Sequence, residues 1–214
     1  MPLVLLVGIN GVGKDTIANE IKTRWPSIAV VSGSKVFMKA AGLSVELSTN
    51  VPASLQDYQF IEAIPADEAE QIYNTKFCQI LNELKNSPAT TLLLYHLCIV
   101  KIDPESNAIS FDDSFVRDWY YDLFDCFILL HTDATQIQTR QLADATSGRR
   151  SRPVVPLTVI TEQMKRSNQQ WELLTTNLKA RHHPHVYQFT NHQNHSTITA
   201  QKIGELIQKL GEKY

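Results

Sequence analysis

The sequence lacks the cysteine patterns of disulfide-rich proteins and of proteins with cysteine-based metal sites. It contains three cysteines, Cys78, Cys98 and Cys126, and they lie far apart in apolar stretches. An odd number of widely separated cysteines argues against a disulfide framework, and no pair has the spacing of a metal site. We therefore interpret all three as reduced thiols in the core of a cytoplasmic protein.

A large excess of charge of one sign and long apolar runs are also missing. The 20 basic residues are balanced by 22 acidic residues, so the net charge is −2 and nothing indicates general nucleic-acid binding. No stretch approaches the ~20 consecutive apolar residues of a membrane helix. The run Leu3–Val7 is too short for a signal peptide and lacks a basic flank. We expect neither a nucleic-acid nor a membrane partner.

Strand-like and helix-like segments alternate along the 214 residues, which are enough for one domain with a sizeable core. Short apolar runs predict strands at 3–7, 28–31, 91–100, 126–131 and 186–189. Apolar stripes predict helices between them, most clearly at 67–85 and 158–178. A turn at 103–107 predicts a small hairpin over 97–111. This order predicts an α/β fold with a parallel sheet of about five strands and helices on both faces.

The stretch "VGINGVGKDT", residues 7 to 16, predicts a phosphate-binding loop. Gly8, Gly13 and Lys14 match the pattern G-x-x-x-x-G-K between a strand and a helix. Backbone N–H groups of such a loop form an anion nest, and the helix N-terminus adds a partial positive charge. We predict that ATP binds to Gly8, Ile9, Asn10, Gly11, Val12, Gly13, Lys14, Asp15 and Thr16. We also expect the side chain of Lys14 to face solvent.

The residue after Lys14 departs from the usual motif, which places Ser or Thr there to hold Mg²⁺. Asp15 occupies that position and Thr16 follows one residue later. Both side chains are candidate Mg²⁺ ligands. The alternative for Asp15 is an acid in the first turn of a helix, which the helix dipole favours by ~0.3–1 kcal/mol.

Two further stretches complete a resemblance to a known family. They are "VVSGSKVFMKAAG" at 30–42 and "FDCFILLHTDATQIQTRQLADATSGRRSR" at 124–152. Together with "GINGVGKDT" they resemble the P-loop nucleoside monophosphate kinases, and archaeal-type adenylate kinases in particular. The resemblance extends over nearly the whole chain. It implies a single P-loop NTPase-type domain of three layers over 1–214, ATP and Mg²⁺ as cofactors, an acceptor-binding region at 33–85 and a mobile lid at 144–157.

Four arginines fall within the thirteen residues from 140 to 152, partly in the loop-like stretch "TSGRRSRP". Catalysis of phosphoryl transfer depends mostly on positioning and on cations that stabilise the transferring group. The planar guanidinium suits this because it binds two oxygens at once. We therefore predict that Arg140, Arg149 and Arg150 act with Lys14 in catalysis, with Arg152 beside them in the lid. The alternative is a solvated basic loop.

The acceptor side departs from the family pattern. The family usually carries an Asp near the end of the third strand, but "LLLYHLCIV" at 92–100 has none. The segment 55–71 also lacks the family's arginines for the acceptor phosphate. His96 matches a family histidine, and Lys39 is the nearby cation. We predict that His96 and Lys39 bind the acceptor.

The loop after the fifth strand packs on the donor adenine in the family. This position makes Asn191 and His192 candidates for ATP binding, although Asn is also a common helix cap. The resulting hypothesis is transfer of a phosphoryl group from ATP to a small-molecule acceptor, a nucleoside monophosphate with AMP as first choice. The alternatives are a P-loop kinase for another small molecule and an ATP-binding regulator with little transfer activity.

Overall fold

Five parallel strands form the centre of the molecule. The structure is a computed structural model and describes residues 1–48, 54–103, 106–113, 117, 119–147, 154–183, 185–192 and 195–213. The sheet strands are β1 (Leu3–Val7), β2 (Ile28–Ser32), β3 (Thr90–Tyr95), β6 (Cys126–His131) and β7 (Val186–Thr190). Their order is β2-β3-β1-β6-β7, and every neighbouring pair is parallel. The predicted parallel sheet is confirmed.

Helices cover both faces of this sheet. Side chains along a strand alternate between the two faces, and the strands present apolar side chains to both, so both faces are buried by helices. On β1, Leu3 and Leu5 face one core, whereas Val4 and Leu6 face the other. The first core is closed by helices α2 (Gly33–Ala40), α5 (Cys78–Lys85) and α8 (Leu157–Ala180). The second is closed by α1 (Lys14–Arg24) and α9 (Ser196–Gly211). The result is the expected three-layer arrangement.

The helical region between β2 and β3 is more complex than the sequence suggests. Helix α3 (Leu55–Glu62) was not predicted, and it begins at a capping box in which Ser54 and Asp57 exchange hydrogen bonds. The predicted helix 67–85 contains α4 (Ala66–Ile72), a π-helical segment (Tyr73–Phe77) and α5. The spacing of three and four between the apolar residues of this segment did not reveal the π turn.

The predicted strand 91–100 is wrong in its length. β3 ends at Tyr95, and the small hairpin predicted over 97–111 is confirmed as an antiparallel pair of β4 (Ile99–Ile102) and β5 (Ile109–Asp112). A short helix, α6 (Tyr120–Leu123), precedes β6, and α7 (Ala134–Thr146) follows it. In the part of the chain that is described, no helix has both the length and the apolar character needed to cross a membrane.

Candidate functional site

A cleft of about 680 Å³ opens at the carboxyl ends of the sheet strands. Ligands of open parallel sheets bind at this end, and the volume lies within the usual range for small-molecule sites. The predicted phosphate loop forms its floor. One side, which we call the α7 wall, is formed by Thr139, Arg140, Ala143, Asp144, Asn191, His192 and Ser196. The opposite side, which we call the α2 wall, is formed by Ser32, Gly33, Ser34, Phe37, Ile61, Tyr73, Leu94, Tyr95, His96 and Ile99.

The loop from Gly8 to Gly13 has the backbone conformation that its glycines allow. Gly11 and Gly13 have φ angles of 88° and 99°, in the left-handed region that disfavours other residues. At Gly8 a Cβ atom would lie 2.6 Å from the carbonyl oxygen of Leu130, so the close approach to β6 requires glycine. Gly13 is also the N-cap of α1 and provides no side-chain cap. Backbone N–H groups at the start of α1 are therefore donors directed at the cleft.

Lys14 does not face solvent, contrary to our expectation. Its exposed fraction is 6%, and its Nζ donates to the carbonyl oxygens of Gly8 at 2.6 Å and Ile9 at 3.0 Å. The same Nζ lies 3.2 Å from Nδ1 of His96. The ammonium therefore binds the back of its own loop, and contact with a phosphate requires it to exchange these bonds. His96 lines the cleft beside it, and its predicted role in binding the acceptor stays a prediction.

Arg140 and Asn191 brace the phosphate loop from the α7 wall. The carbonyl oxygen of Val12 accepts from Nη1 of Arg140 at 2.9 Å and from Nδ2 of Asn191 at 2.7 Å. Nη2 of Arg140 donates to the Asn191 carbonyl at 3.0 Å. Burial lowers the pKa of the Arg140 guanidinium from its ordinary value. In this arrangement both residues hold the loop in place, and their predicted roles in catalysis and ATP binding stay predictions.

The brace also explains a second requirement for glycine at position 13. A Cβ atom on Gly13 would lie 2.4 Å from Nδ2 of Asn191, which is only 2% exposed. The backbone N–H of Asn191 donates to the carbonyl of His131 at 2.8 Å, so Asn191 cannot withdraw easily. Sequence reasoning found Asn191 through its position after the fifth strand and did not predict this contact.

The remaining predicted residues divide into three groups. Asp15 and Thr16 are exposed in the first turn of α1 and line the cleft, and His192 lines it on the α7 wall. Lys39 is exposed on α2 and is not among the cleft-lining residues, so the structure does not bring it to the acceptor side. The lid arginines Arg149 and Arg150, with Arg152, lie outside the described residues.

Oxygen ligands for a divalent cation are present at the start of α1. The Asp15 carboxylate and the Thr16 hydroxyl are of the type that Mg²⁺ prefers, and such sites use one or two protein oxygens together with substrate phosphates. Over the described ranges, no group of three His, Cys, Asp or Glu side chains is arranged to hold a metal by itself. The donor set therefore fits a cation shared with a phosphate.

Comparison with known proteins supports the fold. No protein-family model and no curated protein matches the sequence. Among solved structures, shikimate kinase from Acinetobacter baumannii, in complex with shikimate, is similar with a TM-score of 0.50 and 17% identity, over 98% of this chain and 94% of that one. Shikimate kinase from Bacteroides thetaiotaomicron has a TM-score of 0.53 and 11% identity, over 97% and 98% of the two chains. At these identities the likeness shows the fold alone.

Proposed function

We propose that the protein is a P-loop kinase that transfers the γ-phosphoryl group of ATP to a small molecule. One observation carries this proposal. A glycine-rich loop with a lysine and a helix N-terminus forms the floor of a cleft. One wall of the cleft carries charged side chains, and the opposite wall is mostly apolar or aromatic. A loop of this kind binds phosphates, and the second wall offers space for an acceptor.

The residues of the loop have distinct roles in this proposal. Backbone N–H groups from Gly8 to Thr16 hold the phosphates, and Lys14 leaves the carbonyls of Gly8 and Ile9 to follow the β- and γ-phosphates. The hydroxyl of Thr16 would hold Mg²⁺, which neutralises phosphate charge when bound, and the Asp15 carboxylate is a second candidate ligand for the same ion. An acceptor oxygen attacks the γ-phosphorus, a new oxygen–phosphorus bond forms, and the bond to the β-phosphate oxygen breaks to release ADP.

A nucleoside monophosphate is the proposed acceptor, with AMP as first choice, because of the resemblance to adenylate kinases. The lid arginines Arg149 and Arg150 would complete the cationic site when the acceptor binds. A hydroxylated acid is the second candidate, because the A. baumannii neighbour was solved in complex with shikimate.

An acceptor panel tests this proposal. The purified protein is incubated with ATP, Mg²⁺ and one of AMP, CMP, UMP, GMP, dTMP, shikimate or water, and ADP formation is followed. We expect a marked rise over water with one or two monophosphates. A rise with shikimate alone would move the function to the second candidate. No rise with any acceptor, while ATP binds tightly, would contradict a kinase for these acceptors.

A further inference from the structure

His96 lies where two hydrogen bonds compete for one ring nitrogen. Its Nδ1 is 3.2 Å from Nζ of Lys14 and 2.9 Å from the carbonyl oxygen of Gly8. The same carbonyl accepts from Nζ of Lys14 at 2.6 Å. The imidazole, the ammonium and the carbonyl are therefore each within hydrogen-bond distance of the other two.

The sheet brings these three groups together. Strands β1 and β3 are parallel neighbours, and their register pairs Val7 with Tyr95. The residues that follow are Gly8 and His96, so these two lie side by side where the strands end. Lys14 is the first residue of α1, and only 6% of it is exposed. The contact therefore follows from the register of two strands, although 88 residues separate Gly8 from His96.

One ring nitrogen cannot form both bonds at the same time. In a neutral imidazole, Nδ1 either carries the hydrogen and donates, or is bare and accepts. The ammonium of Lys14 can only donate, and the carbonyl of Gly8 can only accept. A bare Nδ1 therefore accepts from Lys14, whereas a protonated Nδ1 donates to Gly8.

The position of Lys14 determines which of these bonds forms. A bond from a charged donor is stronger than one from a neutral donor, so the ammonium in this position favours a bare Nδ1. When Lys14 moves to a phosphate, the carbonyl of Ile9 keeps a bond from the N–H of Val12 at 3.4 Å. Gly8 is buried, and a buried carbonyl that loses its donor is unfavourable. A hydrogen on Nδ1 of His96 provides a new donor for this carbonyl.

We propose that His96 is a positioning residue for Lys14 and changes its tautomer when Lys14 moves. Without a bound phosphate, Nδ1 accepts from the ammonium and holds it at the back of the loop. With a phosphate bound, Nε2 gives its hydrogen to water, Nδ1 takes one from water, and Nδ1 donates to the carbonyl of Gly8. His96 lines the cleft and is half-buried, so water can reach the ring. The response to ATP rests on the proposed function, whereas the response to Lys14 does not.

Nuclear magnetic resonance of the histidine rings tests the inference, because the chemical shift of a ring nitrogen reports whether it carries a hydrogen. Full-length protein with isotope-labelled histidine is measured at about pH 8, where an ordinary imidazole is neutral. The samples are wild-type protein with and without a non-hydrolysable ATP analogue and Mg²⁺, and Lys14→Met without nucleotide. The signal of His96 is the one that is absent from His96→Asn. His183 is the internal control, because its Nε2 lies 3.0 Å from the carbonyl of Phe124 near the amino end of β6.

We expect a bare Nδ1 in wild-type protein without nucleotide, and a protonated Nδ1 in Lys14→Met, where no ammonium competes for the carbonyl of Gly8. The ATP analogue should produce the same change in wild-type protein, and His183 should not change. A protonated Nδ1 in nucleotide-free wild-type protein would overturn the inference. The same tautomer in wild-type protein and Lys14→Met would also overturn it.

Failure of the kinase proposal has a different signature. The ATP analogue would then fail to bind, and the comparison of wild-type protein with Lys14→Met would still decide the role of His96. If Lys14→Met does not fold, the titration of wild-type protein with the analogue decides it. An analogue that binds and leaves Nδ1 bare would contradict the change of tautomer.

Calorimetry with the ATP analogue, in the absence of any acceptor, separates positioning from acceptor binding. His96→Asn keeps an amide that can accept from Lys14 or donate to Gly8, whereas His96→Leu keeps neither group. Water in the open cleft can replace the acceptor that Lys14 loses, but a bound nucleotide keeps water from the carbonyl of Gly8.

We therefore expect His96→Leu to bind the analogue about threefold to tenfold more weakly than wild-type protein, which is the effect of one neutral hydrogen bond. His96→Asn should stay within about twofold of wild-type protein, because its amide can replace the ring nitrogen. Unchanged affinity for the analogue in His96→Leu, with a rise only in KM for the acceptor, would make His96 an acceptor ligand and contradict the proposal.

Discussion

Replacement of Arg140 separates two roles that the sequence and the structure assign to it. The sequence predicts a catalytic arginine, whereas the structure shows a brace that donates to the carbonyls of Val12 and Asn191. We consider Arg140→Met, which keeps much of the side-chain volume and removes both donors. If the brace dominates, the free protein should lose stability, because the bonds exist before any ligand binds.

The magnitude follows from the contacts. A hydrogen bond that involves a charged group contributes ~1.5–3 kcal/mol. The carbonyl of Val12 keeps its bond from Asn191 at 2.7 Å, so that oxygen is not left without a donor. The carbonyl of Asn191 loses the donor at 3.0 Å. We therefore expect the free energy of unfolding to fall by ~1.5–3 kcal/mol, the contribution of one such bond rather than of two.

Urea unfolding of the ligand-free protein measures this change. Arg24→Met is the matched control, because Arg24 forms an exposed pair with Glu20 on α1 and such pairs contribute ~0.3–0.5 kcal/mol. A variant with unchanged stability and a large loss in turnover alone would refute the brace and restore a purely catalytic role. Loss of stability together with weaker ATP binding would support the brace.

Three further changes test other parts of the site. Gly13→Ala should destabilise the free protein by at least ~1–2 kcal/mol, because the φ angle of residue 13 is 99° and the new Cβ would meet Asn191. Unchanged stability in urea unfolding would contradict the loop geometry. Asp15→Ser should restore the usual motif and leave or improve Mg²⁺-dependent ATP binding, whereas weaker Mg²⁺ dependence in an activity titration would make Asp15 a metal ligand. Arg117→Lys should lower the free energy of unfolding by ~0.5–2 kcal/mol, since lysine cannot replace the buried guanidinium that lies over Tyr73 and pairs with Glu70. Unchanged urea unfolding would contradict this structural role.

The sheet and the phosphate loop could be predicted because their signals are local. Leu3–Val7 is a continuous apolar run, which a parallel strand buried on both faces requires. Gly11 and Gly13, which follow it, have positive φ angles that belong to the loop itself. Such features depend on a few neighbouring residues, so one sequence is enough to reveal them.

The rest of the site depends on contacts between distant parts of the chain. Nothing near Val12 indicates that Asn191 will donate to its carbonyl, and nothing near Lys14 indicates that its ammonium will lie beside His96. Lys39 was chosen for its charge, but the apolar residues of α2 turn toward the core and leave it exposed. Tyr73 was interpreted as part of a helical stripe, because a π turn cannot be recognised from apolar spacing.

Transfer of the γ-phosphoryl group to an acceptor tests the central claim most directly. Wild-type protein and Lys14→Ala are mixed with ATP labelled in the γ-phosphoryl oxygens, Mg²⁺ and each acceptor of the panel in turn, and the mass of the acceptor is followed. The kinase proposal predicts labelled, phosphorylated acceptor with wild-type protein and much less of it with Lys14→Ala. ATP binding by Lys14→Ala should weaken at least ~10-fold, because a charge-assisted contact contributes ~1.5–3 kcal/mol. Tight ATP binding by wild-type protein with no labelled acceptor from any member of the panel would contradict the proposal and indicate a nucleotide-binding regulator.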